Sequence, residues 1–308
     1  MSVETPSGVY DRIVLAYNPQ SRHADETERQ QAVAGEIGLP VELVQTEPGV
    51  QAMRSLLDEV LEPRDVLVVW GGDGGGSTAA QAMLGKEQPV VLLPGGNAND
   101  SYVMVNGAKT LPDIIRTGRL INLRPLEVGA RTADLGEMER RAIGYFSIGA
   151  AANASRIIDQ WKLRPPSGIR PPRIVREAKV CLDALATGPL FSMATDAASE
   201  PIQASDRTFA RGNIMAKLGR THANLAEPVF EDVTTIARGY GDAVRLMAKL
   251  GRGSLKGVMR EAVQFCVFSE DGTPLSVQYD GEYDTVESGS ELTVTISPRS
   301  YKTITTRL

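Results

Sequence analysis

A run of glycines interrupted by one carboxylate is the strongest chemical signal in the chain. Gly71–Thr78 reads GGDGGGST and follows the apolar run Asp65–Trp70. Glycines let a backbone approach a ligand closely. We expect a helix to start near Ser77, and successive backbone amides ahead of a helix bind phosphate. Asp73 would repel phosphate unless a cation lay between them, so the run predicts a triphosphate held through Mg²⁺. The alternative is an ordinary glycine-rich turn in which Asp73 caps the helix.

A second polar turn follows the next apolar run. Pro94–Asp100 reads PGGNAND, so two adjacent glycines precede the side chains of Asn97, Asn99 and Asp100. A plain helix cap formed by Asn97 explains one of these polar residues, but not three in four positions. The two turns together predict one ligand site.

The candidate proton acceptor is a carboxylate, because the two histidines, His23 and His222, lie far apart in the sequence. Phosphoryl transfer to an alcohol requires a group that accepts the hydroxyl proton. The run Asp280-Gly281-Glu282 supplies two such groups. Asp-Gly is equally the preferred two-residue turn of a β-hairpin, and the residues alone leave both interpretations open.

Short apolar runs and helix-like segments alternate in the first third of the chain. The runs are rich in Val, Ile and Leu and do not alternate with polar residues, as is typical of strands buried on both faces: Arg12–Asn18, Pro40–Gln45, Asp65–Trp70 and Pro89–Leu93. Ala24–Ile37 and Val50–Leu61 are long enough for crossover helices. We therefore predict a doubly wound parallel sheet, with ligands beyond the carboxyl ends of its strands.

The pattern changes after about Pro125. The later β-like runs are short, and Asp-Gly turn signals separate several of them: Gly144–Ile148, Leu190–Ala194, Val263–Phe268, Leu275–Tyr279 and Leu292–Ile296. This change predicts a second, mostly antiparallel domain.

Composition excludes several classes of protein. The chain has 308 residues with 33 Lys and Arg against 38 Asp and Glu, a net charge of −5, so we expect no nucleic-acid partner. Two cysteines cannot build a disulfide framework, and neither a signal peptide nor a long apolar span is visible. We expect a cytoplasmic protein that at most rests on the inner membrane surface.

Two basic segments stand out against the acidic total. Arg156–Lys179 contains a Pro-rich centre that we expect to be an exposed loop. In Arg245–Arg260 the spacing of the five basic residues places them on one stripe of a helix, unless the glycines of this segment break the helix. Both segments fit peripheral contact with an anionic membrane. The stripe equally fits the solvated face of a helix packed on its own core.

Together, these motifs resemble those of the diacylglycerol kinase catalytic-domain family, which includes bacterial lipid kinases and the sphingosine and ceramide kinases. The matching residues run in order along nearly the whole chain: Asn18-Pro19-x-Ser21, Thr46, Gly71-Gly72-Asp73-Gly74, Pro94-x-Gly96-x-x-Asn99-Asp100, Phe146–Gly149, Pro228–Asp232 and Asp280-Gly281-Glu282. The two glycine loops in this order, together with Asp-Gly-Glu, are specific to the family.

The resemblance implies a fold and a mechanism. It implies an N-terminal α/β domain similar to NAD kinase and phosphofructokinase, residues 1–125 with about 299–308 returning to it, and a C-terminal β-sandwich of residues 126–298. It places ATP in a cleft between them, and it makes Asp280 the general base, supported by Glu282. It implies Mg²⁺ at Asp73 and a structural Mg²⁺ at Glu231 and Asp232. The nucleotide contacts that it implies are Asn18, Ser21, Thr46, Gly71, Gly72, Asp73, Gly74, Gly75, Ser77, Gly96, Asn97, Asn99 and Asp100.

Some residues depart from the family pattern. Gly75 replaces a threonine, Ser77 and Thr78 stand where Asn and Glu are common, and Asn97 replaces another threonine. The leading hypothesis is an ATP- and Mg²⁺-dependent kinase of a lipid hydroxyl, of the diacylglycerol or sphingoid and ceramide type. The alternatives are a kinase of a soluble alcohol on the same scaffold and a catalytically impaired homologue that binds lipid or nucleotide.

Overall fold

The computed structural model describes residues 10–19, 27–96, 99–132, 136–163, 172–195, 200–215 and 219–307. These residues divide into two compact units. The first unit draws its residues from Met1–Pro125, Asn224–Pro228 and Ser297–Leu308, and the second draws them from Leu126–Ala223 and Val229–Ile296.

Helices and strands alternate at the start of the chain. Up to Pro125 the order is β1 (Arg12–Tyr17), α1 (Thr27–Gly35), β2 (Val41–Gln45), α2 (Val50–Val60), β3 (Asp65–Gly71), α3 (Asp73–Ala82), β4 (Pro89–Pro94), α4 (Asp100–Asn106), α5 (Leu111–Thr117) and β5 (Arg119–Leu123). Strands dominate thereafter: β6 (Leu126–Thr132), β7 (Gly136–Ala142), β8 (Tyr145–Gly149), α6 (Ala150–Leu163), α7 (Arg173–Thr187), β9 (Phe191–Ala194), β10 (Ile202–Ala204), β11 (Asp206–Ala210), β12 (Ile214–Met215), β13 (Gly219–Arg220), β14 (Phe230–Thr235), α8 (Tyr240–Gly251), β15 (Val258–Arg260), β16 (Ala262–Ser269), β17 (Leu275–Tyr279), β18 (Glu282–Val286), β19 (Glu291–Ile296) and β20 (Tyr301–Thr305).

The first unit is built on a six-stranded sheet in the order β2-β1-β3-β4-β20-β5. Every pairing is parallel except that of β5 with β20. The central strands are continuous apolar runs because both of their faces are covered, and Ile13–Ala16 is fully buried. The predicted doubly wound parallel sheet is confirmed, and the C-terminal strand β20 joins it.

Helix α3 starts earlier than the glycine content suggests. It begins at Asp73 rather than near Ser77, so three glycines lie inside its first turns. The Gly76 amide donates to the Gly72 carbonyl at 2.9 Å, and Gly76 faces Leu92 so closely that a Cβ would meet that side chain at 3.4 Å. Packing against β4 thus overrides the low helix propensity of glycine.

The second unit is a sandwich of two six-stranded sheets, as predicted. Their strand orders are β10-β9-β16-β19-β6-β7 and β15-β14-β11-β8-β17-β18. Side chains from both sheets meet in one apolar core. At its centre the Phe209 ring lies 5.8 Å from the Phe146 centroid and 5.7 Å from those of Phe230 and Phe265.

The two basic segments form several elements. Within Arg156–Lys179, residues 164–171, which hold most of the Pro-rich loop prediction, lie outside the described residues. The predicted helical stripe over Arg245–Arg260 is wrong beyond Gly251, where α8 ends; Arg260 belongs to strand β15. The glycines after Leu250 have low helix propensity, which favours the end of α8 at Gly251.

None of the helices in the described part of the chain is long and apolar enough to cross a bilayer.

A buried carboxylate caps helix α6 at its start. Asp206 is 7% exposed; one of its oxygens accepts the Ala151 amide at 2.7 Å and the other accepts the Thr208 hydroxyl at 2.9 Å. Burial raises the pKa of Asp206 to about 6, against the opposing effect of these two hydrogen bonds.

This raised pKa predicts a pH-dependent stability. Because folded Asp206 holds its proton to a higher pH than the unfolded chain does, the protonated form stabilises the fold at low pH, and that contribution is lost as pH rises through about 6. Asp206→Asn removes the charge; the amide oxygen can still accept the Ala151 amide, and the amide nitrogen can donate to the Thr208 hydroxyl, which then acts as the acceptor. Urea denaturation at pH 4 and at pH 7 measures the free energy of unfolding of both proteins. The difference, variant minus wild type, should rise by about 2 kcal/mol from pH 4 to pH 7. A constant difference across that range would contradict the assignment.

Candidate functional site

Two glycine turns meet where β3 and β4 end. The Gly95 amide donates to the Gly71 carbonyl at 2.8 Å, which continues the β3–β4 pairing past the last strand residues. The ends of β1 and β2 lie at the same edge, because these strands are parallel neighbours. The sheet therefore gathers the predicted strand-end motifs along one edge.

The two turns are so close that side chains are excluded from them. A Cβ on Gly96 would lie 2.3 Å from the Gly72 Cα, and a Cβ on Gly95 would lie 2.9 Å from the Gly71 nitrogen. Backbone atoms cannot yield as a flexible side chain can. Glycine at these positions is therefore a packing requirement, independent of any ligand.

Asn99 fixes the shape of the second turn. Its side-chain oxygen accepts the Gly96 amide at 2.8 Å and its side-chain nitrogen donates to the Gly96 carbonyl at 3.0 Å. Its own φ is +58°, a left-handed conformation that asparagine tolerates better than most residues. The Asn99 side chain thus holds the turn, in addition to any contact with a nucleotide.

Asp73 lies at the first position of α3, half-buried. Its Oδ1 accepts the Ser101 amide at 2.8 Å, so this carboxylate ties α3 to the start of α4. Its Oδ2 has no hydrogen-bond partner among the described residues. A pocket of about 200 Å³ beside it is lined by Gly71, Gly72, Asp73, Asn99 and Tyr102, among others. Ser101 and Tyr102 did not stand out in the sequence, because no motif includes them.

The remaining predicted nucleotide residues have varied surroundings. Asn18 is exposed after β1, and Thr46 follows β2 with its amide bonded to the Tyr17 carbonyl at 2.8 Å. Gly74 and Gly75 lie in the first turn of α3, and Gly75 is exposed. Asp100 and Ser77 are buried, at 5% and 4% exposure, and the Ser77 hydroxyl accepts from Gln81 at 3.2 Å. Ser21 and Asn97 lie outside the described residues.

In the second unit, Asp280 and Gly281 form a two-residue hairpin turn between β17 and β18. Their φ angles of +47° and +89° fit the turn type that Asp-Gly favours. The Asp280 carboxylate is 2% exposed and accepts three backbone amides: that of Ile143, that of Gly144 at 2.8 Å and that of Tyr145 at 3.2 Å. Asp280 therefore joins the hairpin to the turn that precedes β8.

Glu282, the first residue of β18, has a different environment. The residue is exposed, and its carboxylate has no hydrogen-bond partner in the part of the chain that the structure describes. Desolvation of its carboxyl by neighbouring protein atoms raises the pKa, and the charge of Arg140 opposes that rise. Arg140 itself donates to the Tyr279 hydroxyl at 3.1 Å and to Asp284 at 3.0 Å. The sequence analysis did not single out Arg140. The signal for it is the alternation of β7, which places Arg140 on the same face as Met138, a residue that packs against the sandwich core.

Comparison with known proteins agrees with the geometry of the first unit. Residues 12–130 match the family described as diacylglycerol kinase catalytic domain. The predicted resemblance is thereby confirmed over this segment, which is similar to the catalytic domain of that kinase family. No curated protein matches the chain.

Solved structures resemble the chain over nearly its full length. A diacylglycerol kinase from Bacillus anthracis str. Sterne is 13% identical with a TM-score of 0.60, covering 96% of this chain and 97% of that one. A putative diacylglycerol kinase from the same organism is 12% identical with a TM-score of 0.64, covering 96% and 98%. Yeast NADH kinase complexed with NADH is 10% identical with a TM-score of 0.50, covering 96% and 83%. At these identities the likeness establishes the fold alone.

The surroundings of Glu231 and Asp232 argue against the structural Mg²⁺ that the kinase family implies there. Adjacent residues of β14 point to opposite faces of the sheet, so the two carboxylates cannot share one ion. Asp232 is paired with Arg207 at 2.7 Å and with Arg260 at 2.8 Å. Glu231 accepts the amides of His222 and Gly257. Protein donors already surround both side chains.

The contact between the two glycine turns can be tested with two matched substitutions. Gly96→Ala should lower the free energy of unfolding by about 2 kcal/mol or more, because its Cβ collides with backbone atoms. Gly75→Ala is the control, since a Cβ there meets nothing within 4 Å. It should be neutral or stabilising by up to about 1 kcal/mol. Urea denaturation of both variants measures this, and equal stabilities would contradict the steric explanation.

Proposed function

We propose that the protein transfers the γ-phosphoryl group of ATP to the hydroxyl of a lipid of the diacylglycerol or sphingoid and ceramide type. The observation that carries this proposal is the pair of interlocked glycine turns, which leave bare backbone beside Asp73 within the kinase-family segment. Amides in such turns, and the positive end of α3, are suited to bind phosphate oxygens.

The residues at Asp73 fit a magnesium ion carried by the nucleotide. Magnesium in phosphoryl-transfer sites takes one or two protein carboxylates plus phosphate oxygens. The described residues contain no cluster of three or more His, Cys, Asp or Glu side chains that could hold a metal alone. Asp73 offers Oδ2, while its Oδ1 holds the Ser101 amide and so fixes the carboxylate. When bound, Mg²⁺ would neutralise charge that develops on the transferred phosphoryl group.

A pocket in the second unit supports a lipid over a soluble alcohol. It has a volume of about 800 Å³ and opens to solvent. Most of its lining is apolar and comes from α6, α7 and α8, including Ala154, Leu185, Met247 and Leu250. Such a lining suits a hydrocarbon chain and offers little to a small polyol.

The outer side of α8 supports peripheral contact with a membrane. Tyr240 and Val244 are exposed one turn apart, and the Arg245 side chain beside them is 79% exposed. Aromatic, aliphatic and basic side chains on one helix surface favour an anionic lipid interface. This contact and a cytoplasmic location at the inner membrane surface form part of the proposal.

Transfer of labelled phosphate from Mg-ATP to lipid in mixed micelles tests the activity. Asp73→Asn should lower kcat/KM by about 100-fold or more, because it removes the carboxylate that faces the phosphates. Asp58→Asn is the control, since this carboxylate lies on α2 and pairs with Lys86. Failure of wild type to phosphorylate any lipid, or turnover of glycerol without lipid, would contradict the proposal.

A substitution in the pocket tests the lipid assignment. Met247→Trp should raise KM for a long-chain lipid about 10-fold and leave KM for ATP unchanged, because the larger ring occupies pocket volume. Ile202→Trp, at an exposed position of β10 that is neither in the pocket lining nor part of the proposed membrane contact, should change neither constant. Equal effects of the two variants would remove the pocket from the substrate path.

A further inference from the structure

An acidic side chain forms part of the floor of the apolar pocket in the second unit. Phe209 of β11 packs in the sandwich core, so Asp206 and Thr208, which alternate with it, lie on the outer face of the sheet. Strand pairing sets Asp206 opposite Thr235 and Thr208 opposite Val233, and all four of these residues line the pocket. The floor of the pocket is therefore sheet surface that carries one carboxyl group.

Helices cover this floor with apolar side chains. Ala154 of α6, Leu185 of α7 and Leu250 of α8 belong to the pocket lining. Among the described residues that line the pocket, Asp206 and Arg220 are the ones with charged side chains, and Arg220 is exposed whereas Asp206 is buried. A ligand inside the pocket therefore meets hydrocarbon and one buried carboxyl group.

We propose that this pocket binds one uncharged hydrocarbon chain and that ionisation of Asp206 weakens the binding. The proposal rests on the part of the proposed function that assigns the pocket to a lipid chain, and it adds a dependence of that binding on pH. A chain that fills the pocket removes the remaining water from Asp206. Loss of water disfavours the charged carboxylate more than the neutral acid.

The contacts of Asp206 allow it to take up a proton without losing a partner. Its Oδ1 accepts the Ala151 amide, which can only donate. Its Oδ2 accepts the Thr208 hydroxyl, and a hydroxyl can turn to accept instead. The proton therefore binds Oδ2 and points at the Thr208 oxygen. Both hydrogen bonds persist in the neutral form.

The neighbours of Asp206 leave it as an acid that titrates near neutral pH. Burial raises the pKa of Asp206 to about 6 and that of the Cys181 thiol of α7 to about 11, and the charge of Glu177, also on α7, adds to the rise at Cys181. Arg220 of β13 stays charged. The pocket lining from α6, α8 and β14 is uncharged, and β8 places Gly149 opposite Asp206.

Affinity for an uncharged chain should therefore fall as pH rises. At pH 5 the Asp206 carboxyl is already neutral when the chain enters. At pH 8 the carboxylate must either be buried as a charge or take up a proton, and both cost binding free energy. Binding should be about 10-fold weaker at pH 8 than at pH 5, and the protein should take up protons on binding between these two values.

Calorimetric titration of the full chain with decanol at pH 5 and at pH 8 tests the proposal. Titrations at intermediate pH, in buffers of different ionisation enthalpy, measure the protons taken up. Asp206→Asn should bind decanol equally at both pH values and without proton uptake. Asp271→Asn, an acid in the turn after β16 that does not line the pocket, is the matched control and should behave as wild type. Absence of decanol binding by wild type, or binding that does not change with pH, would overturn the proposal.

Two further titrations fix the place and the charge of the ligand. Met247→Trp, in which the larger ring occupies pocket volume, should weaken decanol binding about 10-fold at both pH values. Undiminished binding by this variant would place decanol elsewhere and overturn the proposal. Decylamine, which has the same chain with a positive head group, should bind more weakly than decanol at pH 8. Tighter binding of decylamine there would make Asp206 a counter-ion and would also overturn the proposal.

These titrations contain no nucleotide, so they separate the pocket from the phosphoryl transfer. Decanol binding with the expected pH dependence, in a protein that phosphorylates no lipid, would reject the transfer and support the pH-dependent pocket. Transfer to lipid, in a protein whose decanol binding does not change with pH, would support the transfer and overturn the role of Asp206.

Discussion

The close approach of Gly72 to Gly96 is the constraint on which the candidate nucleotide site depends. With no Cβ on either residue, two backbone turns pack directly on each other after β3 and β4. Two features of the site depend on that contact. It brings the start of α3 beside the start of α4, where Asp73 receives the Ser101 amide, and it leaves peptide groups rather than side chains at the edge of the sheet. Phosphate binding by backbone needs this exposure.

The strands of the first unit could be predicted because burial on both faces leaves a plain pattern. β1, β3 and β4 are uninterrupted apolar runs, and their predicted bounds differ from the observed ones by one residue. The sequence could not show where α3 starts. Glycine propensity points to Ser77, whereas the observed start at Asp73 depends on the Gly72–Gly76 hydrogen bond and on packing with Leu92. Those contacts are tertiary, so no local pattern records them.

The partners of the buried and half-buried aspartates show most clearly which contacts could not be predicted from the sequence. Asp73, Asp206, Asp232 and Asp280 are the same residue type near similar turns or strands, yet each one meets different donors. Asp232 meets two arginines, one of them brought by the pairing of β11 with β14 and the other by that of β14 with β15. Asp206 meets one amide and one hydroxyl in an apolar setting. Register decides these partners, and register follows from the whole sheet.

The residue type at Asp280 is required by the fold before any chemistry is considered. The turn needs a left-handed conformation there, which Asn and Gly also adopt. The three amides of the β7–β8 turn need an acceptor with two oxygens, which only a carboxylate provides at that length. Asp is the residue that meets both demands. An Asp-Gly-Glu sequence can therefore persist for structural reasons at its first two positions. The third position has no such demand, since Glu282 holds nothing in place among the described residues, and a functional reason for its identity has to be sought in what its carboxylate can reach.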